Sequence, residues 1–203
     1  MIFEQGHLYH IYNQGNNRQK IFFTRENYLF FLDKIKKHVL PYADILAWCL
    51  MPNHFHIMVY VNAVSVGVTS GAEQVSHPDT NKLRTFNDSI GIMLRSYTRA
   101  INNQEKRTGA LFREETKANC LTQLDKVTRA YYVDKGVTTI NIQHSERQYP
   151  NICFNYINLN PVKDNLVKSC EDWEFSSYSE VVGLCNGKLI SRERIKEFGL
   201  ELD

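Results

Sequence analysis

At 203 residues, 43% hydrophobic and 23% charged, the chain suits a single globular domain able to bury a core without disulfide or metal staples. Its 24 basic and 22 acidic residues leave a formal charge of +2, too small to announce a nucleic-acid partner by itself. The five cysteines are widely spaced with no C-x-x-C pair, which excludes a disulfide framework or zinc finger and points to free thiols in a reducing compartment.

In chain order, His7 to Asn13 alternates in the manner of a strand, and Gln14-Gly15-Asn16-Asn17 supplies turn chemistry. Thr24 is a fitting N-cap for a helix to about Val39, with Tyr28, Phe31, Leu32, Ile35 and Val39 on one stripe, stopped by Pro41. Asp44 to Met51 and His54 to Val61 are two strands, and the short Met51-Pro52-Asn53 link makes them a hairpin. Residues 62–83 change character and are read as a flexible insertion.

A second amphipathic helix is expected from about Thr85 to Asn102, burying Phe86, Ile90, Met93, Leu94, Tyr97 and Ile101. Thr116 to Leu121 is a fourth strand, followed by short helical material near 125–133. Pro150 opens a helix predicted to end at Asn160, because Pro161 disfavours helical geometry in the residue before it. Residues 184–203 read as a charged C-terminal tail. The succession strand, helix, strand, strand, helix, strand predicts an α+β, ferredoxin-like (RRM-like) sandwich with an antiparallel sheet and helices on one face, a single domain over 1–183. No signal peptide or membrane-length apolar run is visible, so a cytoplasmic protein without a membrane partner is expected.

Pro52-Asn53-His54-Phe55-His56 is the stretch richest in chemistry. Residues two apart in a strand share a face, so His54 and His56 stand side by side as half of a divalent-metal site. Taken alone, such a pair is as readily two hydrogen-bonded surface histidines. On the late helix Tyr156 and Asn160 are four apart and so share a face; one offers a phenol nucleophile, the other a hard oxygen ligand. Singly, an aromatic there is ordinary core packing and Asn before Pro is a helix-ending device. His10 reads as a structural hydrogen-bonding residue rather than a third imidazole ligand, and Tyr97 as core. Arg18, Arg95, Arg99, Arg113 and Lys163 are the candidate phosphate contacts.

Together these stretches resemble the HUH single-tyrosine transposases, particularly the REP-associated tyrosine transposase branch. The resemblance rests on Tyr9 to Arg18 with Ile21-Phe22, the Trp48 to Val61 hairpin, Gly109 to Arg113, Tyr156 to Lys163 and Trp173 to Tyr178, in the family's order across most of residues 7–183. It implies a metal-dependent single-stranded DNA endonuclease and strand transferase. In it His54 and His56 hold magnesium or manganese, Asn160 is the third ligand where classical small insertion-sequence members carry Gln, and Tyr156 forms a 5′-phosphotyrosine. The implied partner is single-stranded or hairpin DNA, with monomer or homodimer left open. A non-catalytic hairpin-binding protein of the same fold is the alternative. A small-phosphoester hydrolase fits less well, for want of a carboxylate cluster. Because imidazole must be neutral to ligate, activity is expected to fall below about pH 6.

Overall fold

The computed structural model describes residues 1–68, 82–122, 131–134, 137–140 and 148–202. The first half runs β1 (Leu8–Gln14), α1 (Arg25–His38), β2 (Ala43–Met51), β3 (His54–Val61), β4 (Ser65–Val68), β5 (Lys82–Thr85) and α2 (Phe86–Gln104). The second half adds β6 (Lys117–Cys120), β7 (Tyr131–Asp134), β8 (Val137–Ile140), α3 (Gln148–Lys163), α4 (Tyr178–Val181) and α5 (Arg192–Glu197).

Four strands form one antiparallel sheet in the order β2-β3-β1-β6. This is the expected ferredoxin-like arrangement, with β1 and β3 in the middle. The period-2 alternation of β3 divides its side chains between two apolar clusters. Phe55, Ile57, Val59 and Val61 join Tyr9 and Ile11 beneath Phe31 and Ile35 of α1 and Ile90, Met93, Tyr97 and Ile101 of α2. Met58 joins Leu8, Cys49 and Met51 on the opposite side, against Cys153, Phe154 and Ile157 of α3. The expectation of helices on one face thus holds for α1 and α2, while α3 takes the other face.

Both amphipathic stripes are buried as their spacing predicts, apart from Leu32, which is only partly covered. Asn27 caps α1 by accepting the backbone N–H of Thr24 at 3.1 Å, and the Thr85 hydroxyl accepts from Asp88 N at the start of α2. Gly15 admits no side chain, because a Cβ there would come 2.1 Å from the carbonyl oxygen of Gln19.

Several expectations are revised. The ends of the 62–83 insertion pair as the ribbon β4-β5, and residues 69–81 lie outside the described residues. Tyr131–Asp134, expected to be helical over 131–133, pairs instead with Val137–Ile140, as β-branched and aromatic residues favour; residues 125–130 of that expected helix lie outside the described residues. α3 continues through Pro161 to Lys163. That proline, close to the helix end, forfeits only its own backbone bond, and Asp164 N still donates to Asn160 O at 3.0 Å. The stop comes at Asn165, whose φ of 54° is left-handed. The tail from residue 184 packs on the sheet edge through Ile190, which bridges Ile45, and Arg194, which binds Asp44 at 3.0 Å.

Candidate metal and nucleophile site

The β2-β3 hairpin presents His54 and His56 toward α3, while Phe55 between them turns to the other cluster. Their ring centroids are 5.0 Å apart. α3 is fixed over them by a polar tie to β2: Ser177 Oγ donates to Asn158 Oδ1 at 2.8 Å and accepts from Trp48 N at 2.9 Å. The Trp173 to Tyr178 segment makes this tie by adding to the β2 edge, with Leu50 N donating to Phe175 O at 2.9 Å. Tyr156 and Asn160, one helical turn apart, then face the hairpin. The Tyr156 ring lies 5.3 Å from His56, and Asn160 Oδ1 is 3.2 Å from His54 Nε2.

All four residues line one cavity of about 470 Å³, with Tyr12, Gln14, Arg113, Glu115, Lys117 and Asp164 among its other walls. Asp164, which sequence reasoning passed over, is one turn beyond Asn160, so the same four-residue spacing would have found it. Its charge acts on both His54 and Tyr156. Lys163 holds its ammonium 5.6 Å from the centre of the Tyr156 ring.

Burial holds the His54 imidazole below its ordinary pKa, against the opposing pull of Asn160 and Asp164. Burial, reinforced by neighbouring His10 and His54, holds His56 well below it. Both rings are therefore neutral at pH 7 and able to ligate, and the loss expected below about pH 6 moves to lower pH. Burial raises the Tyr156 phenol above its ordinary pKa, outweighing the hydrogen bond to Asn160 that favours the ionised form.

The hydrogen-bond network sets where the lone pairs point. His54 Nδ1 is 2.6 Å from Asn53 Oδ1, and that amide is oriented by Asn53 Nδ2 donating to Arg18 O at 3.4 Å. His54 therefore carries its proton on Nδ1, leaving an Nε2 lone pair opposite the Asn160 oxygen. His56 Nε2 is buried without a partner among the described residues. Among the described residues, no three His, Cys, Asp or Glu side chains cluster tightly enough to hold an ion. The candidate metal ligands that line the cavity together are the two imidazoles and the Asn160 amide. The 3.2 Å spacing of His54 Nε2 and Asn160 Oδ1 is close to the ~3 Å that neighbouring ligands keep around an octahedral ion with bonds of about 2.1 Å. The residues present fit a divalent cation.

Of the candidate phosphate contacts, Arg113 lines this cavity and also an adjoining groove of about 630 Å³. Arg95 and Arg99 of α2 line that groove together with Arg107. Its walls carry four arginines and no carboxylate among the described residues. Arg18 lines neither recess. Tyr97 is fully buried on the α2 side and donates its hydroxyl to Ile21 O at 2.8 Å, so the core reading holds and it is no substitute nucleophile.

The fold is similar to that in a solved structure of a REP-associated tyrosine transposase bound to a REP hairpin. The TM-score is 0.56 and the identity 16%, over 94% of this chain and 92% of that one. At that identity the likeness speaks for the fold. No family model and no curated protein matches the sequence. No helix among the described residues is long and apolar enough to cross a membrane.

Proposed function

We propose that this chain is a metal-dependent single-stranded DNA endonuclease and strand transferase, acting on single-stranded or hairpin DNA. The observation that carries this reading is the meeting of Tyr156 with His54, His56 and Asn160 in one open cavity. The adjoining arginine groove supports it, because it offers a phosphate backbone a path ending at the phenol. The neighbour's hairpin ligand accords with the same substrate class.

In this reading the Tyr156 oxygen attacks a backbone phosphorus. The Oη–P bond forms as the P–O3′ bond breaks, leaving a 5′-phosphotyrosine and a free 3′-hydroxyl. The phenol gives up one proton and the departing oxygen takes one, so the exchange is neutral overall. His54, His56 and Asn160 would hold magnesium or manganese, which would supply Lewis-acid neutralisation of the phosphate charge. Arg113 at the cavity wall binds the strand, and the later attack of a hydroxyl on the phosphotyrosine rejoins strands without another energy source.

Oligonucleotides labelled at either end, incubated with manganese and run on a denaturing gel, test the reading. A protein band carrying the 3′-end label is expected, and Tyr156→Phe is expected to abolish it while leaving DNA binding intact, since the half-exposed phenol is not part of the core. An adduct surviving that substitution, or one carrying the 5′-end label, contradicts the assignment. Tight hairpin binding with no adduct under any condition favours the non-catalytic alternative.

A further inference from the structure

His10 reaches the cavity from the neighbouring strand. β1 and β3 run antiparallel with Tyr12 opposite His56 and His10 opposite Met58, so His10 lies diagonal to His56 on the same face. Its Nε2 is 2.9 Å from His56 Nδ1, and the ring planes are inclined by only 31°.

One proton sits between two ring nitrogens at that distance. Were His10 to supply it, His56 would keep its own proton on Nε2, as a buried N–H without an acceptor among the described residues; such a stranded donor is costly. When His56 supplies it from Nδ1, the acceptor is His10 Nε2, and His56 Nε2 becomes a bare lone pair, which a cation can satisfy as it could not satisfy an N–H. His10 then carries its own proton on Nδ1. The same logic operates at His54, where Asn53 takes the Nδ1 proton.

We propose that His10 is a positioning residue that holds His56 in its Nδ1–H tautomer and so aims the Nε2 lone pair at a divalent cation. This rests on the metal reading above, but the two fail separately. It also removes His10 from the ligand set, because its Nε2 is committed to His56. Metal-binding histidines generally pass their second N–H to an acceptor, and loss of that acceptor weakens metal affinity by about 10–100-fold.

Two measurements decide it. Long-range ¹⁵N–¹H NMR on the metal-free protein at about pH 7.5, where unperturbed imidazoles are neutral, is expected to find the His56 proton on Nδ1. This needs no variant, so a folding defect cannot obscure it. Manganese titration followed by EPR is expected to show about 10–100-fold weaker binding in His10→Leu and recovery to within about tenfold in His10→Gln, whose carbonyl can accept the proton. A His56 proton found on Nε2, or wild-type affinity in His10→Leu, overturns the proposal. Absence of manganese binding by the unmodified protein overturns the metal reading and the cation half of this one, while the NMR result still judges the tautomer.

Discussion

Asn160 places its Oδ1 3.2 Å from the Nε2 of His54, joining the helix that carries Tyr156 to the strand that carries the imidazoles. Two lone pairs directed at each other repel unless something positive or a proton intervenes. Asn160→Ala is therefore expected to weaken manganese binding at least about tenfold, and Asn160→Asp to strengthen it by adding charge. Manganese is expected to bind more tightly than magnesium, because imidazole suits the softer ion. Manganese EPR titration, with magnesium added as a competitor, measures all three, and unchanged affinity in Asn160→Ala removes that residue from the ligand set.

Acid should destabilise the metal-free fold well before carboxylates titrate. Burial lowers His10 to about 4, and burial with nearby Lys34, Lys37 and Arg84 lowers His38. Above about pH 6.5 both states leave these rings neutral; below it the unfolded chain takes up protons that the folded one refuses, so stability falls as pH drops toward 4. Each such group contributes a slope of up to about 1.4 kcal/mol per pH unit. Thermal melts in chelator across this window check the sign, and His10→Gln should flatten the slope.

The arginine groove makes a salt-dependent prediction. Arg99→Glu and Arg107→Glu are expected to weaken single-stranded DNA binding and to reduce the slope of log K against log salt by about 0.7 for each phosphate no longer neutralised. Arg25→Gln serves as control, since Arg25 is already paired with Glu174 at the surface. Fluorescence anisotropy at several salt concentrations reads both. An unaltered slope in the groove variants places the backbone elsewhere.

Ile157 is fully buried between α3 and the sheet, beside the proposed nucleophile in sequence. Ile157→Ala is expected to cost about 2–5 kcal/mol in stability, read from urea unfolding. A loss well below that range would mean that α3 is held mainly by its polar tie through Asn158 and Ser177.

Much of the fold is legible in the residues. Alternation in 54–61 marks the two-sided strand, and the stripe from Phe86 to Ile101 marks a helix whose six apolar positions are all buried. Local periodicity carries such information because it is set by backbone geometry. It carries nothing that joins distant positions: the Asn158–Ser177–Trp48 tie, the His10–His56 bond, or which face α3 covers. Pro161 misleads for a related reason, since a preference against helix in the preceding residue is a local bias that packing of Phe154 and Ile157 overrides. The β7 strand escapes a local reading because pairing with β8, four residues each, is what defines it.

Along β3, neighbouring positions answer to different demands. Phe55 and Ile57 bear the weight of the α1–α2 layer, whereas His54 and His56 meet the cavity. Damage at adjacent positions should therefore leave opposite signatures: truncating an odd-numbered residue produces a protein that melts early, and altering the partly covered His54 produces one that melts normally and stays silent.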